Sequence, residues 1–159
     1  MKKLICVTLI VLGMVAFVFA PTPTTAATEG GTVTGTAQGA FPAGTALGPV
    51  ALDGLQLGTG VIVDPNNSAV GCFHVVLTGR SLLGQPQEIT VEGKVSQGAV
   101  SENGTANFSG IATLDFGDGA PLRTGVPFSV TTTTSSLVLA VESTTLPAAS
   151  LTGGSVTIE

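Results

Sequence analysis

Beyond Pro21 the apolar positions recur with a period of two, in short runs bounded by Gly, Pro or Asn. That alternation is the mark of strands, whose successive side chains point to opposite faces. Val70 to Thr78 shows it best: Phe73, Val75 and Leu77 share one face, and Cys72, His74, Val76 and Thr78 share the other. Glu88 to Ser96 sets Ile89, Val91 and Val95 against Thr90, Glu92 and Lys94, as on a sheet with one wet face. Thr32 to Ala37, Leu55 to Val63, Val126 to Val130, Leu137 to Val141 and Ser155 to Ile158 read as further strands.

The punctuation between these runs is turn chemistry. Asp64-Pro65-Asn66-Asn67 ends one strand, and Asn103-Gly104 predicts a hairpin because both residues tolerate positive φ. After that hairpin, Phe108, Ala112, Leu114 and Phe116 recur at even spacing and are expected to face inward. Thr131 to Ser136 suits an exposed strand or its connection. About eight short strands without a helical period predict an all-β fold. Its architecture is an antiparallel β-sandwich, immunoglobulin-like or similar, or a small β-barrel.

The first residues follow another rule. Lys2 and Lys3 precede an uncharged apolar run of 17 residues, Leu4 to Ala20, which Pro21 and Pro23 then break. Small residues follow as Thr24-Thr25-Ala26-Ala27-Thr28. This is the layout of a secretory signal peptide, with cleavage expected after Ala26 or Ala27. The chain then divides into residues 1–27, a signal peptide, and residues 28–159, a single all-β domain. The expected destination is secreted: extracellular, cell-surface or periplasmic, with no membrane span left after cleavage.

Composition narrows the function. The 132 residues left of 159 after removing 27 keep three cations, Arg80, Lys94 and Arg123, against ten acids, a net charge of −7. Such a chain has no electrostatic footprint for nucleic acid or anionic lipid. Charged residues make up 9% of the chain, so solubility rests on Thr, Ser, Gly, Asn and Gln. With Cys6 in the signal, Cys72 stands alone and cannot form an internal disulfide.

Candidate chemistry is sparse. Cys72 and His74 lie two apart on one strand face, where an imidazole could activate a thiol. The commoner arrangement is a small buried cysteine beside a hydrogen-bonded histidine, and the mid-strand position points to it. One histidine and one cysteine support no zinc set. Asp115 and Asp118, in Asp115-Phe116-Gly117-Asp118-Gly119, are the candidate oxygen ligands for calcium, but the segment lacks the full ligand spacing of a calcium loop and an Asp/Gly turn between two strands is the favoured reading. No Gly-x-Ser-x-Gly elbow is present. Without Trp or Tyr, sugar stacking is disfavoured, and Phe41, Phe73, Phe108, Phe116 and Phe128 fall mostly on core faces. Asn66, Asn103 and Asn107 head Asn-x-Ser/Thr triplets.

The five residues from Asp115 to Gly119 also resemble the turn of polycystic-kidney-disease-type domains, which are immunoglobulin-like extracellular modules. Those domains usually carry Trp before the motif, where this chain has Leu114, and continue with a His-Thr-Tyr strand that it lacks. The resemblance implies an extracellular sandwich. Together these features predict a secreted or cell-surface non-enzymatic protein with a structural or binding role. It would act with no cofactor, on a protein or surface partner or on copies of itself. Gly30 to Gln38 is a candidate arm for strand addition to an exposed edge. The rival expectation is a small secreted enzyme using His74 with Cys72 or an Asp.

Overall fold

A computed structural model describes residues 30–159; the signal-peptide reading concerns residues outside that range. The described chain has ten strands and no helix. They are β1 (Gly31–Ala40), β2 (Ala46–Leu47), β3 (Val50–Val63), β4 (Ser68–Arg80), β5 (Pro86–Ser101), β6 (Thr105–Asp115), β7 (Arg123–Thr132), β8 (Ser136–Val141), β9 (Thr144–Thr145) and β10 (Ala149–Ile158). The sequence-predicted strands sit inside eight of these, and only the two-residue β2 and β9 carried no alternation to read.

From β3 to β8 each strand pairs antiparallel with the next in sequence. β10 then pairs with β8 on one side and β1 on the other, and β1 pairs with β3. The ring of hydrogen-bonded neighbours therefore closes: β1, β3, β4, β5, β6, β7, β8 and β10 form an eight-stranded antiparallel barrel. Of the two architectures the alternation allowed, the barrel is the one formed. The likeness to polycystic-kidney-disease-type domains stays with its five residues, since an immunoglobulin-like sandwich needs Greek-key crossings between two sheets. Gly30 to Gln38 is no free arm either. β1 is bonded along both edges, with Val33 opposite both Ile158 and Val61. Pairing on both sides satisfies its backbone more completely than an exposed extension would.

Closure turns the alternation into an inside and an outside. An eight-stranded barrel is just wide enough for side chains to fill. Here they are Val33, Leu57, Val61, Val75, Leu77, Ile89, Val91, Leu114, Leu137 and Leu139 around three phenylalanines. Phe73 stacks on Phe128 with ring centroids 5.4 Å apart and meets Phe108 edge-on at 5.7 Å. Each such side chain contributes about 1.5–3 kcal/mol on leaving water. Phe128 fits because the position over its ring is Gly93, where a Cβ would lie 2.6 Å from two ring carbons. Phe41 is buried as well, and Phe116 is partly buried against the core.

Barrel strands must also bend, and β-bulges do this work. The β4 register shifts between Ser68 and Gly71. Gly71 takes φ +155°, and a Cβ there would collide with the carbonyl oxygen of Gly60. The loops obey the predicted turn chemistry with one difference: at the β5–β6 hairpin only Gly104 takes positive φ, 74°. Asn103 instead accepts the amide of Thr105 with its side-chain oxygen. Thr131 and Thr132 finish β7, and the Thr133 hydroxyl caps the following turn by accepting the amides of Ser135 and Ser136.

Candidate functional site

The wall of the barrel, not its filled interior, carries the exposed chemistry. β4 contributes Cys72 and His74, which point outward because Phe73 between them points in. Register then supplies their neighbours. On one side β5 sets Lys94 beside Cys72 and Glu92 beside His74. On the other, β3 sets Gly60 beside Cys72 and Gly58 beside His74.

His74 Nδ1 lies 3.7 Å from Glu92 Oε1, with the two side chains 50% and 68% exposed. At that exposure the pair is worth at most about 1 kcal/mol, and only while the imidazole is protonated. Burial of Cys72, the commoner expectation, is not found: the thiol is exposed. On a closed barrel every wall strand keeps one wet face, and a mid-strand residue is as likely to lie on it as in the core. The histidine likewise has no hydrogen bond burying it in a network; its close polar neighbour is Glu92.

Two grooves flank the β4 ridge. One, of about 440 Å³, runs past Cys72, His74, Glu92, Lys94, Ile111 and Thr113. The other, of about 480 Å³, lies over β3, bounded by Thr36, Gln38, Gln56 and His74. Its floor is low because Gly58 has open space where a Cβ would stand. The structure therefore joins His74 to a thiol, a carboxylate and two grooves. Sequence alternation had placed Cys72 and His74 on one face and Glu92 and Lys94 on another strand's wet face. What it lacked was the register that makes the four neighbours.

Asp115 and Asp118 do not come together as a ligand set. Asp115 Oδ1 accepts the amide of Gly117 at 2.8 Å, and Asp118 Oδ1 accepts that of Ala120 at 2.9 Å. Both carboxylates organise their own loop, which is the turn role of Asp. No group of three or more potential ligands occurs among the described residues. Beside that loop Arg123 lies 5.8 Å from the Phe116 ring centroid and 3.4 Å from Glu142. Asn66, Asn103 and Asn107 are all exposed. Asn107 Oδ1 accepts the hydroxyl of Thr131, and Asn66 Oδ1 the amide of Ser68.

Charge is distributed unevenly. Among the described residues, Asp53, Arg80, Glu88, Asp115, Asp118, Arg123 and Glu142 lie at or near the strand ends on one side of the barrel. Asp64, Glu102 and Glu159 lie at the other end. Among the described residues, only Cys72, His74, Glu92 and Lys94 are charged or titratable at the waist. Sequence reading could not show this, because spacing along the chain hides which residues share a height on the barrel.

No helix among the described residues is long and apolar enough to cross a membrane. The outward positions carry mostly Thr, Ser, Gln, Gly and a few aliphatics, rather than the apolar band and aromatic girdles of a membrane barrel. The chain matches no protein-family model, and no curated protein or solved structure is found similar to it.

Proposed function

We propose that this chain is exported and acts as a non-enzymatic barrel with a structural or binding role, engaging a protein or surface partner, copies of itself included. The observation that carries the reading is the filled interior. Phe73, Phe108 and Phe128 occupy the space where a barrel of this kind would hold a small ligand, so recognition falls to the outer wall. That wall is uncharged over most of its height, which suits contact with another neutral surface. The export half of the proposal rests on Lys2, Lys3, the apolar run and Ala26-Ala27. Its test is N-terminal sequencing of protein recovered outside the cytoplasm. A start at Ala27 or Thr28 is expected; a start at Met1 in a cytoplasmic protein overturns it. For the binding half, the folded protein is immobilised and exposed to envelope and medium of the producing cell. Retention that survives blocking the wall with antibody counts against the wall as the working surface.

One observation favours a second reading, a small secreted enzyme. Cys72, His74 and Glu92 share one groove, as a nucleophile, base and orienting carboxylate would. Iodoacetamide labelling of the folded protein between pH 6 and 9 separates the readings. Labelling that tracks an ordinary thiol, unchanged by His74→Ala, removes the enzyme reading.

A further inference from the structure

We infer that a hollow on the outer wall, running from the β3–β4 turn across β5, β6 and β7, binds an extended neutral polysaccharide. The inference rests on reading the outer wall as the working surface, and names the chemistry that surface takes.

Register builds the hollow. Ser68, Gln97, Ser109 and Ser129 are successive cross-strand neighbours, so they form one row over four strands. Asn107 and Thr131 stand opposite each other in the next row. Two bulges meet beside the first row: β4 shifts register between Ser68 and Gly71, and β5 between Val95 and Gln97. The second leaves Ser96 and Gln97 both exposed, and bulges bend the wall they interrupt. The result is a groove of about 650 Å³. Asn67 lines its β3–β4 end. That residue has a φ of 66°, which Asn tolerates, and its carbonyl oxygen accepts the amide of Gly98 at 3.1 Å, tying the turn to β5.

The side chains select the occupant. None of the lining residues is charged, so a charged polymer finds no counter-charge there. A protein face would bring an apolar centre. Here the apolar side chain that reaches the groove is half-buried Ala99, since Phe108 and Val130 point inward at 3% and 1% exposure. Strand addition needs a free edge, and at these rows β5, β6 and β7 are paired on both sides. A neutral chain dense in hydroxyl groups meets none of these objections. Asn107 Oδ1 accepts the Thr131 hydroxyl at 2.6 Å, which leaves the Asn107 amide N–H groups free to donate. Among the described residues, the side chains of Asn67, Ser96, Gln97, Ser109 and Ser129 have no hydrogen-bond partner. A carboxamide offers a donor and an acceptor side by side, and a hydroxyl offers both on one oxygen.

Spacing makes the ligand a chain and not a single sugar. Neighbouring strands stand about 4.8 Å apart, so the row presents a polar side chain at that interval over about 14 Å. The interval is close to the rise of one unit in an extended polysaccharide, so consecutive sugars meet consecutive strands. No aromatic ring is exposed in the groove, and the grip therefore comes from hydrogen bonds without stacking. Each sugar contributes little, and affinity grows with the number of units laid across the row.

The experiment is an NMR titration of the exported protein, made without sugar on Asn66 or Asn107, against cellohexaose, laminarihexaose, maltohexaose and mannohexaose. At least one is expected to bind, to shift the backbone amides of Gln97, Ser109 and Ser129, and to bind equally at low and high salt. Asn67→Gly keeps the positive φ and removes one carboxamide, and Gln97→Ala removes another. Each is expected to weaken binding about two- to tenfold, the range for one lost hydrogen bond. Thr157→Ala, exposed on β10 and outside the groove, should leave it unchanged. Thermal unfolding of each variant confirms the fold. No shift with any of the four sugars, shifts centred elsewhere, or a steep salt dependence overturns the groove. Retention on the producing cell's envelope that both groove variants keep in full overturns the groove while leaving the wall as the working surface. A wild type held by neither sugar nor envelope overturns the groove and the binding form of the proposed function together.

Discussion

Gly93→Ala tests whether the barrel interior is as tightly filled as its side chains imply. The added Cβ would lie 2.6 Å from two ring carbons of Phe128 and 3.2 Å from a third. Ordinary contact begins near 3.4 Å, so the ring must retreat by about 0.8 Å, distances that leave no slack in a packed interior. It cannot do so freely. Phe128 is stacked on Phe73 with 13° between the ring planes, and Phe73 is held edge-on by Phe108. Overpacking of this kind costs about 1–3 kcal/mol. Against it stands the gain from stiffening the unfolded chain, about 0.4–1 kcal/mol, since Gly93 has no positive φ to forbid alanine. The net expectation is a loss of about 1–2 kcal/mol, or roughly 3–8 °C in Tm for a domain of this size. The control is Gly58→Ala on the outer wall, where nothing lies within 4 Å and the change should be neutral or slightly stabilising. Phe128→Leu should be worse in the wild-type background than in Gly93→Ala, because the smaller side chain vacates the space the new methyl needs. Urea unfolding of the four variants gives the coupling directly. If Gly93→Ala proves as stable as Gly58→Ala, the interior has room the structure does not show, and the argument for an outer working surface loses its footing.

Further expectations follow from other positions. Gly71→Ala should cost about 2 kcal/mol or more, because it adds a Cβ collision with the Gly60 carbonyl to an unfavourable positive φ; a Tm within a degree of wild type would refute the bulge as a structural requirement. His74→Ala should change stability by less than about 1 kcal/mol, since its pairing with Glu92 is exposed; a larger loss in urea unfolding would mean the imidazole does more than the geometry shows. Calcium or a chelator should leave Tm unmoved, because Asp115 and Asp118 each commit Oδ1 to their own loop and stand in no group of three potential ligands among the described residues; a calcium-dependent rise would reinstate the loop as a metal site.

Much of the fold was legible in the sequence because it is written in local patterns. Phe73, Val75 and Leu77 alternate strictly with Cys72, His74 and Val76, and that alone gives the strand and its two faces. The turns at Asp64 to Asn67 and at Asn103-Gly104 were legible for the same reason: their backbone needs are met by residues within reach of each other. Barrel closure was not. It depends on Val33 meeting Ile158, a pairing between residues with no local signal that connects them. The site stood halfway between. Cys72 and His74 could be put on one face, but which face was wet depended on closure. The neighbours Glu92 and Gly58 depended on register across two interfaces. The apolar alternation defines each strand's own faces and leaves its sliding against a neighbour to bulges such as that between Ser68 and Gly71.

The seam between β1 and β10 also governs when folding can finish. A chain that emerges N-terminus first, from a ribosome or through a translocation pore, presents Val33 long before Ile158, so the ring stays open until the last strand arrives. Every other wall pairing except β8 with β10 and β1 with β3 joins sequence neighbours through a short loop, and these hairpins can assemble along the way. The final closure is a contact of high sequence separation, the kind that slows folding. Until it forms, β10 leaves the outer edge of β1 unsatisfied, and the nascent sheet is both threadable and sticky. Delay at that one seam would keep the polypeptide competent for passage through a pore, and completion of it would trap the barrel on the far side.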